Sequence, residues 1–183
     1  MKNELRIISL LKSLPENCVF DQFPSPLGNL TLIASNDGLH ALLWDYDWLH
    51  KKFNHIRNEI LQNPNQKYIS ETKKQLEKYF QGKQKKFNIP LVLKGTDFQK
   101  KSWNKLKTIP YGKTISYQEQ AIALGDKNKV RAIGSANGKN PISIIIPCHR
   151  VIGKDGNLHG FAGGLDAKKY LLELENKNNN YKT

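Results

Sequence analysis

The segment SYQEQAIALGDKNKVRAIGSAN, Ser116 to Asn137, decides the fold predicted for the second half of this chain. Ser116 is a favourable N-cap for a helix from Tyr117 to Leu124, and Gly125 is suited to end that helix. After a short turn over residues 125–128, the pattern predicts another helix from about Lys129 to Asn137. Two helices joined by a glycine-containing turn in a basic sequence predict a helix-turn-helix.

The preceding segment predicts one more helix. Thr96 and Asp97 are both candidate N-caps, and Phe98, Trp103 and Leu106 would lie on the inner side of a helix that ends before Pro110. A final helix is predicted from Asp166 to Glu175.

The segment after the helix-turn-helix contains the residues most suited to chemistry. An apolar run, residues 142–146, predicts a strand that ends at Pro147, and the next residues would face a pocket at the strand end. Cys148 follows directly, and the neighbouring His149 and Arg150 would favour the thiolate form that makes a cysteine nucleophilic. The alternative is a buried, inert cysteine beside incidental basic residues.

The first half predicts a small α+β unit. Three short strands are expected, Val19 to Phe23, Asn29 to Ala34 and Leu39 to Trp44, with a hairpin at Asp37-Gly38. A helix from Ile69 to Phe80 follows. The overall prediction is an α+β chain: an N-terminal domain over residues 1–93 with antiparallel strands, a mostly helical winged-helix-like domain over residues 94–176, and a disordered tail over residues 177–183.

Charge and cysteine content limit the partners and the compartment. The 183 residues carry 29 Lys+Arg against 16 Asp+Glu, a formal net charge of +13 that predicts an anionic partner, although solubility charge is the alternative. No N-terminal signal and no apolar stretch of roughly 20 residues occurs, so a cytoplasmic, reduced protein without membrane contact is expected. Cys18 and the scattered His40, His50 and His55 lack ligand spacing, and no metal is predicted.

The second half resembles the O6-alkylguanine-DNA alkyltransferase family. The similarity extends from Thr96 to Glu175 in family order and is weaker in the first half, at residues 25–28 and 38–39. It rests on these segments: Thr96-Asp97-Phe98-Gln99, Trp103, Ile109-Pro110-Tyr111-Gly112, Ser116-Tyr117, Arg131-Ala132-Ile133-Gly134, Asn140-Pro141, Pro147-Cys148-His149-Arg150-Val151, Gly160-Phe161-Ala162-Gly163-Gly164 and Glu175.

The resemblance implies catalytic roles. Cys148 would accept the alkyl group, His149 would take the thiol proton through a water molecule, and Glu175 would orient the imidazole. Asn140 would brace the cysteine segment, and Tyr117 would donate a hydrogen bond to guanine N3. Considered without the family, Glu175 would be a solvated glutamate, Asn140 a turn residue and Tyr117 a core residue.

The resemblance also implies binding residues. The loop of Phe161, Ala162 and Gly163 would line the guanine pocket, where the carbonyls of Cys148 and Val151 accept the exocyclic amine; turn geometry alone could equally explain this loop. Some family members have Tyr and Ser where this chain has Phe161 and Ala162. Phe161 and Ala162 lack a side-chain hydroxyl, so this chain lacks the side-chain hydrogen bond that such a hydroxyl could make. Arg131 would fill the gap left by an extruded nucleotide. Three small residues of the same helix would let it approach the minor groove, with close helix packing as the alternative: Ala132, Gly134 and Ser135.

These observations predict a monomeric DNA repair protein that transfers an alkyl group from O6-alkylguanine in duplex DNA to Cys148, once per molecule and without a cofactor. O4-alkylthymine is a further candidate substrate. The alternative is a binding protein without transfer, either an alkyltransferase-like lesion sensor or a winged-helix regulator, but the known sensors have another residue at the cysteine position. A cysteine hydrolase would need an oxyanion hole, for which the sequence has no signature.

Overall fold

The computed structural model describes residues 2–51 and 54–179. The chain forms two compact units, Met1–Lys94 and Gly95–Thr183, each with its own core.

The first unit is built on a four-stranded sheet. The three predicted strands are present as β1 (Val19–Ser25), β2 (Gly28–Ser35) and β3 (Gly38–Trp44), and they pair antiparallel in the order of the chain. A short strand, β4 (Leu61–Gln62), pairs parallel with β1 and completes the order β3-β2-β1-β4.

Among the residues that the structure describes, four helices accompany this sheet: α1 (Lys2–Lys12), α2 (Asp45–Trp48), α3 (Asn54–Glu59) and α4 (Lys67–Phe80). The α4 helix begins where the Gln66 side chain accepts hydrogen bonds from the amides of Tyr68 and Ile69. It buries Ile69, Leu76 and Tyr79, which recur at helical spacing. The first two helices of this set, α1 and α2, contribute Ile7, Leu11 and Trp48 to a core with β2 and β3.

The second unit begins with α5 (Asp97–Leu106). Thr96 and Gln99 form a capping box at its N-terminus, with each side chain bonded to the backbone of the other residue. Trp103 and Leu106 are buried as predicted, while Phe98 is half-buried.

The predicted helix-turn-helix follows. A second capping box, Ser116 with Glu119, starts α6 (Tyr117–Ala123), and a 3-10 turn spans Lys127–Lys129. The α7 helix (Val130–Gly138) is the second helix of the motif, the position that is called the recognition helix in helix-turn-helix units. Two short strands, β5 (Ile115–Ser116) and β6 (Val151–Ile152), pair parallel. This pairing joins the start of α6 to the residues that follow Cys148.

The last helix, α8 (Gly164–Asn179), is longer than predicted. It continues through residues 177–179, so the expected disordered tail does not begin at Lys177. Asn178 takes part in this continuation, because its side chain donates to the carbonyl of Leu174 one turn earlier. The rest of the expected tail, residues 180–183, lies outside the described residues.

The predicted strand at residues 142–146 is wrong, because this run forms a buried turn. The amide of Ile146 bonds back to the carbonyl of Ile142 at 3.0 Å, and Ile144 is the one non-glycine residue with positive φ (72°) in the described part of the chain. Burial accounts for the composition, since a turn enclosed by the core selects apolar side chains as strongly as a buried strand does. The α+β class and the winged-helix-like second unit are confirmed.

Candidate active site

Asn140 holds the turn that presents Cys148. Its Oδ1 accepts the amide of Ile142 at 3.0 Å, and its Nδ2 donates to the carbonyl of Ile146 at 2.8 Å. The same Nδ2 lies 3.1 Å from Cys148 Sγ. Because the Ile142 amide can pair only with an oxygen, the orientation of the Asn140 amide is fixed and its NH₂ group faces the sulfur. A donor to sulfur favours the thiolate over the thiol.

Cys148, His149 and Arg150 form a single 3-10 turn, not the expected strand end. The turn brings the side chains of both His149 and Arg150 to Glu175 of α8. His149 Nε2 lies 2.9 Å from Glu175 Oε1, Arg150 Nε donates to Oε2 at 2.9 Å, and Arg150 Nη2 donates to Oε1 at 2.9 Å. Glu175 and His149 are fully buried, so Glu175 is not the solvated residue that the alternative interpretation described.

The charges of this cluster determine which nitrogen of His149 carries the proton. Burial raises the pKa of Glu175, but the hydrogen bonds from His149 and Arg150 and the positive charge of Arg150 outweigh it and hold that pKa well below its usual range. Burial lowers the pKa of His149 against the opposing effect of Glu175, so the imidazole is neutral near pH 7. A carboxylate can only accept, so the imidazole proton lies on Nε2. Nδ1 is then an acceptor, and it is buried with no hydrogen-bond partner in the described protein.

Backbone groups complete the surroundings of Glu175 and Arg150. The amide of Gly112 donates to Glu175 Oε2 at 3.0 Å, and Arg150 Nη1 donates to the carbonyl of Ile109 at 2.6 Å. The guanidinium of Arg150 also lies 5.7 Å from the ring centre of Tyr111. Glu175 and Arg150 therefore each have several hydrogen-bond partners. A buried ion pair is tolerated only when its charges have such partners.

Tyr117 and Lys168 lie beside the thiol. Tyr117 donates a long hydrogen bond, 3.4 Å, to the carbonyl of His159. Burial, with a smaller effect from a Cys148 thiolate, raises the pKa of Tyr117 to about 12, so its hydroxyl stays a donor at neutral pH. Lys168 of α8 is fully buried and donates to the carbonyls of Val151 and His159 at 2.6 and 2.7 Å. Burial lowers the pKa of Lys168 to about 8, and a Cys148 thiolate opposes that shift.

Two of the residues expected to line a pocket, Phe161 and Val151, contact members of this site. The Phe161 ring meets the His149 ring edge-on, with centres 6.2 Å apart. Ala162 and Gly163 follow in the same loop and are half-buried. The Val151 carbonyl accepts a hydrogen bond from Lys168.

The four residues expected to contact DNA lie on the outer side of α7. Arg131, Ala132 and Ser135 are exposed and Gly134 is half-buried, whereas Ile133, Ala136 and Asn137 face the core. Apart from its chain neighbours and the nearby backbone of α7 itself, no atom of the described residues lies within 4 Å of the place that a Cβ on Gly134 would occupy. Close helix packing therefore does not account for the glycine, and the surface can approach another molecule closely.

The interpretation of the sequence missed two members of this cluster. Arg150 was considered only as a neighbouring charge, and no pattern indicated that its fork would bind Glu175 25 residues later. No sequence signal marks Lys168, because a lysine in a helical segment rich in charge resembles a solvated residue.

Cys18 and His40 of the first unit do not form a second site. Burial raises the pKa of Cys18 to about 11, which keeps it protonated and unreactive at neutral pH. His40 is buried with its Nε2 2.8 Å from Ser35 Oγ. Within residues 2–51 and 54–179, no three His, Cys, Asp or Glu side chains cluster as metal ligands. No helix in those ranges is both long and apolar enough to cross a membrane.

The second unit combines a helix-turn-helix with a thiol that is fixed by a hydrogen bond. Next to this thiol, an imidazole, a carboxylate and a guanidinium group are linked by hydrogen bonds. Together these features define a DNA-binding protein with a reactive cysteine. Comparison with known proteins agrees. Residues 97–177 match the family of the 6-O-methylguanine DNA methyltransferase DNA binding domain, and residues 19–93 match its ribonuclease-like domain.

Relatives and solved structures cover most of the chain. The methylated-DNA–protein-cysteine methyltransferase of Methanosarcina barkeri is 46% identical over 87% of this chain and 98% of its own. The constitutive enzyme of that name from Bacillus subtilis is 42% identical over 82% and 91%. The crystal structure of the Mycobacterium tuberculosis O6-methylguanine methyltransferase is 42% identical, with a TM-score of 0.79 over 88% of this chain and 94% of that one. An M. tuberculosis protein named OGT, solved in complex with DNA, has a TM-score of 0.78 at 41% identity, over 87% and 94%.

The chain belongs to the methylated-DNA–protein-cysteine methyltransferase family.

Proposed function

We propose that this protein repairs DNA by transferring the alkyl group of O6-alkylguanine in duplex DNA to Cys148. The observation that carries the proposal is the hydrogen-bonded position of the Cys148 sulfur, 3.1 Å from Asn140 Nδ2, on a turn directly followed by the His149 and Arg150 partners of Glu175. Family membership and the names of the relatives support it.

The first step is formation of the thiolate. His149 Nδ1 is the bare acceptor of the cluster, and we assign it the thiol proton, carried by one water molecule. As the imidazole becomes cationic, its Nε2–H remains bonded to Glu175, whose charge stabilises the cation. The NH₂ group of Asn140 stabilises the sulfur anion at the other end.

The second step is an in-line displacement. The sulfur attacks the alkyl carbon, the S–C bond forms as the C–O6 bond breaks, and the bonding electron pair passes to guanine. Tyr117 exchanges its long hydrogen bond to His159 for guanine N3 and donates a proton there, so that guanine leaves in neutral form. The proton gained by His149 returns through water to Tyr117. The thioether on Cys148 has no good leaving group, so each molecule acts once.

Access to the lesion requires the nucleotide to leave the duplex. The outer side of α7 binds the minor groove, and Arg131 fills the gap in the base stack, which offsets part of the flipping cost of a few kcal/mol. The flipped guanine lies between Phe161, the Ala162 and Gly163 backbone, and the Val151 carbonyl. A monomeric state, cytoplasmic location and action on O4-alkylthymine stay predictions.

Intact-mass measurement after mixing the protein with duplex DNA that contains O6-methylguanine tests the proposal. We expect one methyl group per molecule, located on the peptide that contains Cys148. Cys148→Ser should gain none, and Cys18→Ser should gain as much as the wild type. An adduct on Cys18, or many lesions repaired by one molecule, contradicts the proposed mechanism. A lesion sensor without transfer predicts tight binding and no mass gain.

A further inference from the structure

A buried polar cluster joins the three helices around the helix-turn-helix. It consists of Ser102 of α5, Gln120 of α6 and Asn137 of α7, with exposed fractions of 0%, 0% and 7%. Most cores of small helical units are apolar at such positions. The cluster lies outside the site described above, and none of its members has a role in the proposed chemistry.

The three side chains form a closed set of hydrogen bonds. Gln120 Nε2 donates to Ser102 Oγ at 3.0 Å and to Asn137 Oδ1 at 3.2 Å. Asn137 Nδ2 donates back to Gln120 Oε1 at 2.8 Å, and Ser102 Oγ donates to Asn137 Oδ1 at 3.1 Å. Next to this set, Trp103 Nε1 donates to the carbonyl of Ala136 at 2.9 Å. Thus α7 is bonded to both preceding helices through side chains.

Such a cluster adds little stability compared with apolar residues of similar shape. Each hydrogen bond contributes about 1 kcal/mol net, and apolar replacement of all partners can be neutral or stabilising. Its effect is to favour one arrangement of α7 against α5 and α6 over all others. If α7 slid or rotated against α5 and α6, buried donors and acceptors would lose partners, at about 1–3 kcal/mol for each group. Apolar side chains would allow neighbouring arrangements at nearly equal energy.

The cluster also connects with the cysteine turn. The backbone carbonyl of Asn137 accepts the amide of Asn140 at 3.1 Å, and the Asn140 side chain holds Cys148 Sγ. The end of the recognition helix is thus fixed from two sides. On one side lie α5 and α6, and on the other lies the turn that carries the thiol.

We propose that Ser102, Gln120 and Asn137 are positioning residues that fix the recognition helix α7 for duplex DNA. The small outer residues of α7 favour a close approach to the groove, where a displacement of about 1 Å is enough to impair reactivity strongly. This inference rests on the proposed function, because it concerns how the lesion in a duplex reaches Cys148. It predicts a defect on duplex DNA that is absent on a free substrate.

The experiment compares the wild type with the triple variant Ser102→Val, Gln120→Leu, Asn137→Leu. Single-turnover alkyl transfer is measured with duplex O6-methylguanine DNA and with free O6-benzylguanine, which needs no helix docking. We expect a melting temperature equal to or above that of the wild type and an unchanged rate with the free base. Repair of the duplex should be slower by at least about tenfold. Leu106→Met, an apolar exchange in the same fully buried part of α5, is the control and should leave both rates unchanged.

Two results would overturn the inference. If the duplex rate of the triple variant equals that of the wild type, the cluster does not position α7. If both substrates react more slowly by the same factor, the cluster supports the fold or the thiol instead. If the triple variant does not fold, Gln120→Leu alone is a milder test, because it keeps the hydrogen bond from Ser102 to Asn137. This single variant should repair duplex DNA more slowly, by a smaller factor, and should react with the free base at the wild-type rate. Failure of the proposed function is distinct, because the wild type itself would then react with neither substrate.

Discussion

Removing the charge of Glu175 tests the centre of the proposed site. Glu175→Gln keeps the size of the side chain and one oxygen that can accept from His149 Nε2, but it leaves the buried Arg150 without a counter-charge. Breaking a buried ion pair by removing one partner costs about 3–5 kcal/mol. A domain has about 5–15 kcal/mol in total, so the variant should fold but be clearly less stable.

The effect should depend on pH in a defined direction. The pKa of Glu175 in the folded protein is held below its value in the unfolded chain, about 4.3. Its stabilising contribution is therefore complete above pH 4.3 and is lost as the pH falls through the folded pKa. The difference in unfolding free energy between the wild type and Glu175→Gln should be largest near pH 7 and should shrink below about pH 4.3.

The same variant should transfer the alkyl group more slowly. When His149 takes the thiol proton, the neutral amide introduced by Glu175→Gln cannot stabilise the imidazolium, and loss of general-base assistance slows a reaction by about 10²-fold or more. We would measure single-turnover transfer from O6-methylguanine DNA across pH 5–9, together with urea unfolding, using protein that binds duplex DNA as the wild type does.

Glu173→Gln is the matched control. Glu173 lies on the same helix with a side chain that is 66% exposed and 3.9 Å from Lys169, a pair that contributes about 0–1 kcal/mol. Its stability and rates should equal those of the wild type. The reasoning is refuted if Glu173→Gln is as impaired as Glu175→Gln. It is also refuted if Glu175→Gln keeps wild-type rates at every pH.

Three other predictions concern DNA binding and the backbone. Arg131→Ala should slow repair of duplex DNA far more than reaction with free O6-benzylguanine, and equal losses in the two assays would indicate a folding defect instead. Affinity for duplex DNA should fall steeply with salt, by a slope of about 0.9 per phosphate contacted in a plot of log K against log salt; a binding titration without salt dependence would contradict phosphate contacts. Gly112→Ala should destabilise the protein by more than about 1–3 kcal/mol in urea unfolding, because φ is +68° and the new Cβ would lie 2.8 Å from that of Asn179. Gly125→Ala has a φ of +91° but open surroundings, so it should show only the backbone strain, and equal losses in both variants would argue against the contact with Asn179.

Local sequence patterns were sufficient for most elements. The Asp-Gly hairpin, the N-caps at Thr96 and Ser116, and the helical spacing of α4 all depend on residues within a few positions of one another. Such short-range preferences act in the same way in any fold, and they predicted both units and the helix-turn-helix. The motif around Cys148, together with family resemblance, indicated the candidate nucleophile.

The conformation of residues 142–146 was decided only by the tertiary structure. Five consecutive residues that are almost all isoleucine suit a buried strand and a buried turn equally. The Asn140 side chain selected the turn by bonding to Ile142, Ile146 and Cys148. Secondary-structure propensities of the five residues do not include this effect, in which the Asn140 side chain competes with a neighbouring strand for the hydrogen bonds of the backbone.

The partners of the buried polar groups were likewise beyond the sequence. Glu175, Lys168 and Gln120 each look like solvated residues in a helix, yet each is fully buried. Their partners lie far away along the chain: Arg150 for Glu175, Val151 for Lys168, and Ser102 for Gln120. A polar group is buried only where distant segments supply its hydrogen bonds, and that depends on how the helices and turns pack. The sequence by itself therefore determined the elements with strong local signals and the candidate nucleophile, whereas packing determined the turn at residues 142–146 and the charge cluster that surrounds the nucleophile.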